Sequence, residues 1–212
     1  MNRYLAILLY CIGLSAGFPA VADEPMSSSH WSFEFKGGRF HPQLPDWKRY
    51  YGSDAMNHFA MALGYMPVRA LELGVELGYA HDDGQGLLPS SGVLGGEVSY
   101  TLVPVHVYLM LRGVFTEGQW IIPYAGGGWT RVYYRQEVAT QTEQKGNANG
   151  WNARAGLQLL LNPLDPSSAK NIKKAYGVDY TYLTLEAQKF NAAIDGIELG
   201  GKSYLLGVRV EY

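Results

Sequence analysis

Cysteine is almost absent from this chain: Cys11 is the only one. A single thiol cannot form an internal disulfide, and paired-cysteine metal and redox motifs are excluded with it. Charge is scarce too. Lys, Arg, Asp and Glu make up 17% of the residues, against about 25% in typical soluble domains. The formal net charge of -2 gives no basic footprint for nucleic acid. No segment reads as a helical membrane span of roughly 20 apolar residues, and no repeat of fixed period occurs. What the chain has instead is 26 Gly and 16 Tyr, with aromatics at 13%, a balance suited to one β domain.

The first 22 residues account for the lone cysteine. Arg3 is their only charge, an apolar stretch runs from about Tyr4 to Gly17, and Ala20-Val21-Ala22 before Asp23 has the small-x-small form of a cleavage site. The pattern predicts a secretory signal peptide over 1–22, whose removal takes Cys11 with it. A lipoprotein signal fits less well, because Tyr10 stands where such signals carry a small residue. The remaining 23–212, about 190 residues, suits a single domain.

Beyond that point, about eight segments alternate apolar and polar residues with period two, as strands with one apolar face do. Trp31, Phe33 and Phe35 alternate with Ser32, Glu34 and Lys36. Phe59, Met61, Leu63 and Tyr65 alternate with His58, Ala60, Ala62 and Gly64. Leu71, Leu73, Val75, Leu77 and Tyr79 stand against Glu72, Gly74, Glu76, Gly78 and Ala80. A fourth segment sets Val103, Val105, Val107, Leu109 and Leu111 against His106, Tyr108, Met110 and Arg112, with Pro104 inside it predicting a bulge or weaker pairing. In the fifth, about 119–135, Gly126-Gly127-Gly128 blurs the phase; Trp120, Ile122, Tyr124, Val132 and Tyr134 are placed outward and Arg131 inward. The sixth opposes Trp151, Ala153, Ala155, Leu157 and Leu159 to Asn152, Arg154, Gly156 and Gln158. The seventh opposes Thr181, Leu183, Leu185 and Ala187 to Tyr180, Tyr182, Thr184, Glu186 and Gln188. The chain ends with Tyr204, Leu206, Val208, Val210 and Tyr212 against Leu205, Gly207, Arg209 and Glu211.

Alternation alone does not separate a membrane barrel from a soluble one. The ends of the apolar faces do. Trp31, Tyr65, Tyr79, Trp120, Tyr134, Trp151, Tyr204 and Tyr212 sit at or near them, as girdles at two membrane interfaces would. Small residues on the polar face, such as Ala60, Gly64, Gly74 and Gly78, suit a narrow lumen. The prediction is an all-β, eight-stranded, antiparallel up-and-down transmembrane β-barrel. With the first strand ascending from the periplasm, the external loops fall at about 41–56, 81–96, 136–149 and 189–201, and short turns at about 66–69 and 112–118. Long outside and short inside is the barrel rule. One periplasmic connection, Asn162 to Gly177, is long and predicts a short helix: Asp165 as N-cap, Pro166 at the first position, Lys173 and Lys174 in the last turn, Gly177 past the end. It is a structured turn or a site for a partner.

The terminal strand, alternating and ending on Tyr212, resembles the C-terminal signal of outer-membrane β-barrels. The whole chain looks like the small eight-stranded barrels of the OmpA transmembrane domain and OmpW-like kinds. Pro123-Tyr124-Ala125-Gly126-Gly127-Gly128-Trp129 is similar to a proline-tyrosine-glycine strand of those families. Asp165-Pro166-Ser167-Ser168-Ala169, Tyr176-Gly177-Val178 and Thr181-Tyr182-Leu183 resemble features of uncharacterised bacterial outer-membrane barrels. The resemblance implies outer-membrane lipid and lipopolysaccharide as surroundings and the barrel-assembly machinery as reader of the end at Tyr212. It implies no cofactor. The expected role is non-enzymatic, in envelope integrity, surface interaction or narrow small-solute passage; the alternatives are a lipid-modifying enzyme and a conduit for small apolar compounds with an apolar outer pocket.

Within such a barrel, Glu72, Glu76, Arg112, Arg131, Arg154, Glu186, Arg209 and Glu211 form a candidate lumen charge network, with Glu34, Lys36 and His106 also inward. Opposite charges confined together should pair, giving a plug, or a gate if Glu72 or Glu76 exchanges arginine partners. An interior of eight strands is just wide enough for side chains to fill. In the first external loop, Trp47, Lys48, Arg49, Tyr50 and Tyr51 combine aromatics with a basic pair that suits lipopolysaccharide or a surface partner; the plainer alternative is a loop that covers the mouth. Lipid A deacylases of similar shape place His two residues before Ser on the barrel surface; no His-x-Ser lies wholly within a strand here, since His30 stands before the first one. His81, Asp82 and Asp83 with Ser90 and Ser91 make a poor triad and a poor metal site, since Asp-Asp-Gly is first a turn former. Neither a catalytic nor a metal role is assigned.

Overall fold

The computed structural model describes residues 29–44, 47–87, 94–138, 143–194 and 197–212. The predicted signal peptide over 1–22 lies outside them, as do Ser90 and Ser91.

Each alternating segment forms a strand: β1 (Trp31–Pro42), β2 (Met56–Val68), β3 (Leu71–Leu87), β4 (Leu94–Arg112), β5 (Ile121–Val138), β6 (Gln144–Leu160), β7 (Tyr180–Ile194) and β8 (Gly201–Glu211). Sequence neighbours from β1 to β7 pair antiparallel, and β8 closes the ring between β7 and β1. Closure leaves no strand edge with unpaired amides, the condition for a sheet to cross a bilayer. The last residue takes part, since the Tyr212 N–H donates to the Trp31 carbonyl at 2.9 Å. A two-residue ladder, Ala193 with Glu198 and Ile194 with Ile197, prolongs β7 past the barrel.

The two faces are the reverse of a water-soluble protein's. Leu73 is 52% exposed and its neighbour Glu72 is wholly buried; Leu77 and Glu76 stand in the same relation. Phe33, Phe35, Phe59, Met61, Leu63, Leu109, Leu206 and Val208 continue this exposed apolar belt around the wall. Lipid, not water, is the solvent that makes such a surface stable. Aromatics bound the belt at both ends, with Trp31, Tyr65 and Trp120 at the short-turn end and Tyr79, Trp129, Trp151 and Tyr204 at the other.

Two expectations need correction and a third is narrowed. The external loops are shorter than predicted, because β3 and β4 pair out to Leu87 and Leu94 and β5 and β6 out to Gln136 and Gln144; backbone pairing continues where the side chains turn polar. Pro104 makes no bulge but does weaken the pairing: Gly78 and Tyr79 drop out of the ladder to Pro104 and Val103, the register is the same on either side, and Gly78 leaves the room the inward proline ring needs.

The second correction concerns β5, whose phase is inverted. Ile122, Tyr124 and Val132 are buried in the lumen and Tyr134 packs on the buried cluster, while Trp129, Arg131 and Tyr133 face outward. Pairing to β4 and β6 runs unbroken through Gly126-Gly127-Gly128, so one parity holds along the strand. Aromatics on both faces hid it. Arg131 therefore leaves the lumen network: its Nη2 donates to Asn147 at 2.9 Å and its guanidinium lies over Tyr133.

Among the described residues two helices lie apart from the wall strands. The five-residue α1 (Trp47–Tyr51), which the sequence did not suggest, belongs to the loop between β1 and β2. α2 (Pro166–Tyr176) is the expected periplasmic helix, with the Asp165 carboxylate accepting from the Ser168 amide at 3.0 Å and Gly177 at φ 75° closing its end. Lys173 reaches Asp179 at 2.7 Å and so ties the helix to the start of β7.

Candidate functional site

Inward residues fill the barrel in stacked layers. Near the mouth at the short-turn end Ile122, Leu160 and Tyr182 form a small apolar cluster. Above it stand two groups of buried charges, which between them hold five carboxylates (Glu34, Glu72, Glu76, Glu186 and Glu211) and four cations (Lys36, Arg112, Arg154 and Arg209).

In the lower group Arg209 grips both oxygens of Glu72, and its Nε donates to Glu211 at 2.9 Å. Arg112 reaches the same Glu211 oxygen at 2.7 Å and gives two further bonds to Gln158. In the upper group Lys36 lies 2.6 Å from Glu76 and 2.8 Å from Glu186. Arg154 meets Glu76 at 2.8 Å, and Gln188 donates to it at 2.7 Å. Tyr124 donates to Glu186 at 3.0 Å, and Glu34 accepts from Thr184 at 2.6 Å. Tyr108 connects the groups, since its hydroxyl donates to Glu72 while its ring lies beneath Arg154.

Seven of the eight candidate network residues thus converge: Glu72, Glu76, Arg112, Arg154, Glu186, Arg209 and Glu211. Lys36, an inward residue outside that set, is the centre of the upper group. Tyr108, Tyr124, Gln158 and Gln188 were also missed. Two of them carried a signal, because Tyr108 is the register partner of Gly74 and Tyr124 of Gly156. A Cβ on either glycine would collide with the facing ring.

The outer half of the lumen is apolar. Phe40 stacks on Phe190 with centroids 5.1 Å apart, and His58 and His106 lie beside them with their Nδ1 atoms on Ser203 and Thr130. Above them α1 folds into the mouth. Trp47 stacks on Tyr51 at 3.8 Å and meets Tyr100 edge-on at 5.3 Å. Trp47 and Tyr51 are only 5% and 9% exposed, so of the two readings of this loop their rings follow the one that covers the mouth and not the surface contact; burying them gains more than leaving them in water. Lys48 is exposed, and the side chains of Arg49 and Tyr50 lie outside the described residues.

On the outer wall, His81 bonds Thr101 Oγ1 through Nδ1 at 3.0 Å and lies 3.3 Å from Asp83 through Nε2. Asp82 accepts from Ser53 instead, so the three adjacent residues do not converge.

No protein-family model matches the chain, and no curated protein matches it. Solved structures match in fold. Neisserial surface protein A is 10% identical, with 86% of this chain and 97% of that one covered and a TM-score of 0.56. The outer membrane protein OprG of Pseudomonas aeruginosa is 14% identical, with 87% and 97% covered and a TM-score of 0.58. The chain is an eight-stranded antiparallel up-and-down barrel with the architecture of these small outer-membrane proteins.

Proposed function

We propose that this protein is exported by cleavage after residue 22 and folds into the outer membrane, where the barrel is closed at rest and serves envelope integrity and surface interaction. The strand ending at Tyr212 is its signal to the assembly machinery. The observation that carries this reading is the double closure of the lumen, by the network around Glu72 and Glu76 and by the aromatic layer of Phe40, Phe190, Trp47 and Tyr51. Ions meet paired charges below and rings above. Planar-bilayer recording tests it: silence is expected for the wild type and for Glu72→Gln. Discrete openings in the wild type, altered by the substitution, would instead make the charge network a gate for narrow solute passage.

A second reading, a conduit for small apolar compounds, draws on the apolar outer half of the lumen. It requires α1 to swing out and admit such a compound between Trp47, Tyr51 and Tyr100. Uptake of an apolar probe that rises in Trp47→Ala would favour it; unchanged uptake would remove it.

A further inference from the structure

We infer that the outward face of β7, β8 and β1 at the external end is a docking site for a phosphorylated, multiply acylated glycolipid of the lipid A kind. This rests on the outer-membrane placement proposed above. Lys189 and Lys202 are register partners, and Lys202 is also the partner of His41. Two ammonium groups directly opposite each other across a strand pair repel. Among the described residues neither has a carboxylate partner. Arg39, two residues before His41 on β1 and on the same face, is oriented by bonds to Asn57 and the Ala55 carbonyl at 2.8 Å and likewise meets no acid. Across the barrel the pattern differs. Arg135 has Glu137 at 2.6 Å and Glu143 at 3.1 Å, and Lys145 has Glu143 at 3.8 Å.

Depth fits a headgroup. Lys189 Nζ lies 5.7 Å from the ring centre of Trp151, and Trp151 and Tyr204 belong to the outer girdle, which marks the headgroup level. Directly below, the wall is recessed. Ala155, Ala187 and Gly37 line an open groove of about 660 Å³ flanked by Leu157, Leu185 and Leu206. Most of the belt elsewhere carries large side chains. Three unneutralised cations at headgroup depth over an apolar recess complement one ligand: phosphate groups joined to several acyl chains.

Native mass spectrometry of the folded barrel, titrated with bis-phosphorylated lipid A, dephosphorylated lipid A and phosphatidylglycerol, tests the site. A one-to-one complex with bis-phosphorylated lipid A is expected, at least tenfold tighter than with either other lipid. Combining Arg39→Gln, Lys189→Gln and Lys202→Gln should weaken it at least tenfold, while Arg39→Lys with Lys189→Arg and Lys202→Arg should retain it, with folding checked by heat-dependent gel mobility. Equal affinity for the other lipids, undiminished binding by the glutamine variant, or a lipid-free dimer occupying the face would overturn it. Labelling of Glu198→Cys on intact cells reads placement separately. A labelled protein that binds no lipid A loses the site alone, and an unlabelled one loses the placement as well.

Discussion

Tyr108 donates its hydroxyl to Glu72 at 3.0 Å while its ring carries the Arg154 guanidinium 4.0 Å from the centroid. One side chain thus joins two buried ion clusters. Tyr108→Phe keeps the ring and removes the bond, so a loss of about 1.5–3 kcal/mol is expected for a hydrogen bond to a buried carboxylate. Urea unfolding in lipid vesicles measures it. An unchanged midpoint would mean that the clusters stand independently.

Glu76 accepts from Lys36, Arg154 and Gln188 together. Glu76→Gln takes from Lys36 and Arg154 the carboxylate they share and leaves Arg154 only Glu186, at 3.9 Å, so a loss of about 3–5 kcal/mol is expected. Adding Arg154→Met should recover part of it, because the second change removes the cation that the first left without a close partner. A double variant as unstable as the sum of the two singles would show that they do not couple.

The fold was legible because the strand period and the inside-out distribution of charge agree in seven of the eight strands. Leu73 and Glu72 needed only parity to be placed. The fifth strand failed where Tyr124, Trp129 and Tyr134 supplied aromatics to both faces, and only its partners decide between them. The contacts of α1 were hidden for another reason. Trp47 and Tyr51 pack on Tyr100, some fifty residues away in sequence, and no local pattern announces such a contact. Lys189 and Lys202 became neighbours only once the register was known.

That register also makes Gly128 a test of the β5 phase. A Cβ there would run into the Val107 carbonyl of β4, which cannot yield without breaking the sheet. Gly128→Ala is expected to abolish the heat-dependent gel shift of a folded barrel. Gly37→Ala, whose new atom would meet only the edge of Phe59 at 3.4 Å, should fold normally. Equal folding of the two would contradict the packing of β4 against β5.

The tie between α2 and β7 should depend on pH. Partial burial works against ionisation of Asp179, but the Lys173 ammonium and the Ser29 hydroxyl outweigh it and hold the carboxyl below its usual range. A depressed carboxyl stabilises the fold above its unfolded value of about 3.9 and loses that contribution as pH falls through the lower folded value. The Asp179 carboxyl resonance should therefore titrate below about 3.9, and Lys173→Met should move it upward. Titration at the ordinary value would show that the helix is not held by this pair.

Thr101, His81 and Asp83 form a hydroxyl, imidazole and carboxylate row on the outer wall, the one arrangement among the described outward residues that imitates an acyl-transfer site. Two features argue against catalysis there. Thr101 sits within a paired strand, where β-branching crowds its oxygen, and Asp83 is exposed, so water weakens its hold on the ring. Expression is therefore expected to leave the mass spectrum of lipid A unchanged. Loss of one acyl chain that disappears with His81→Ala would overturn this and assign the row a hydrolytic role.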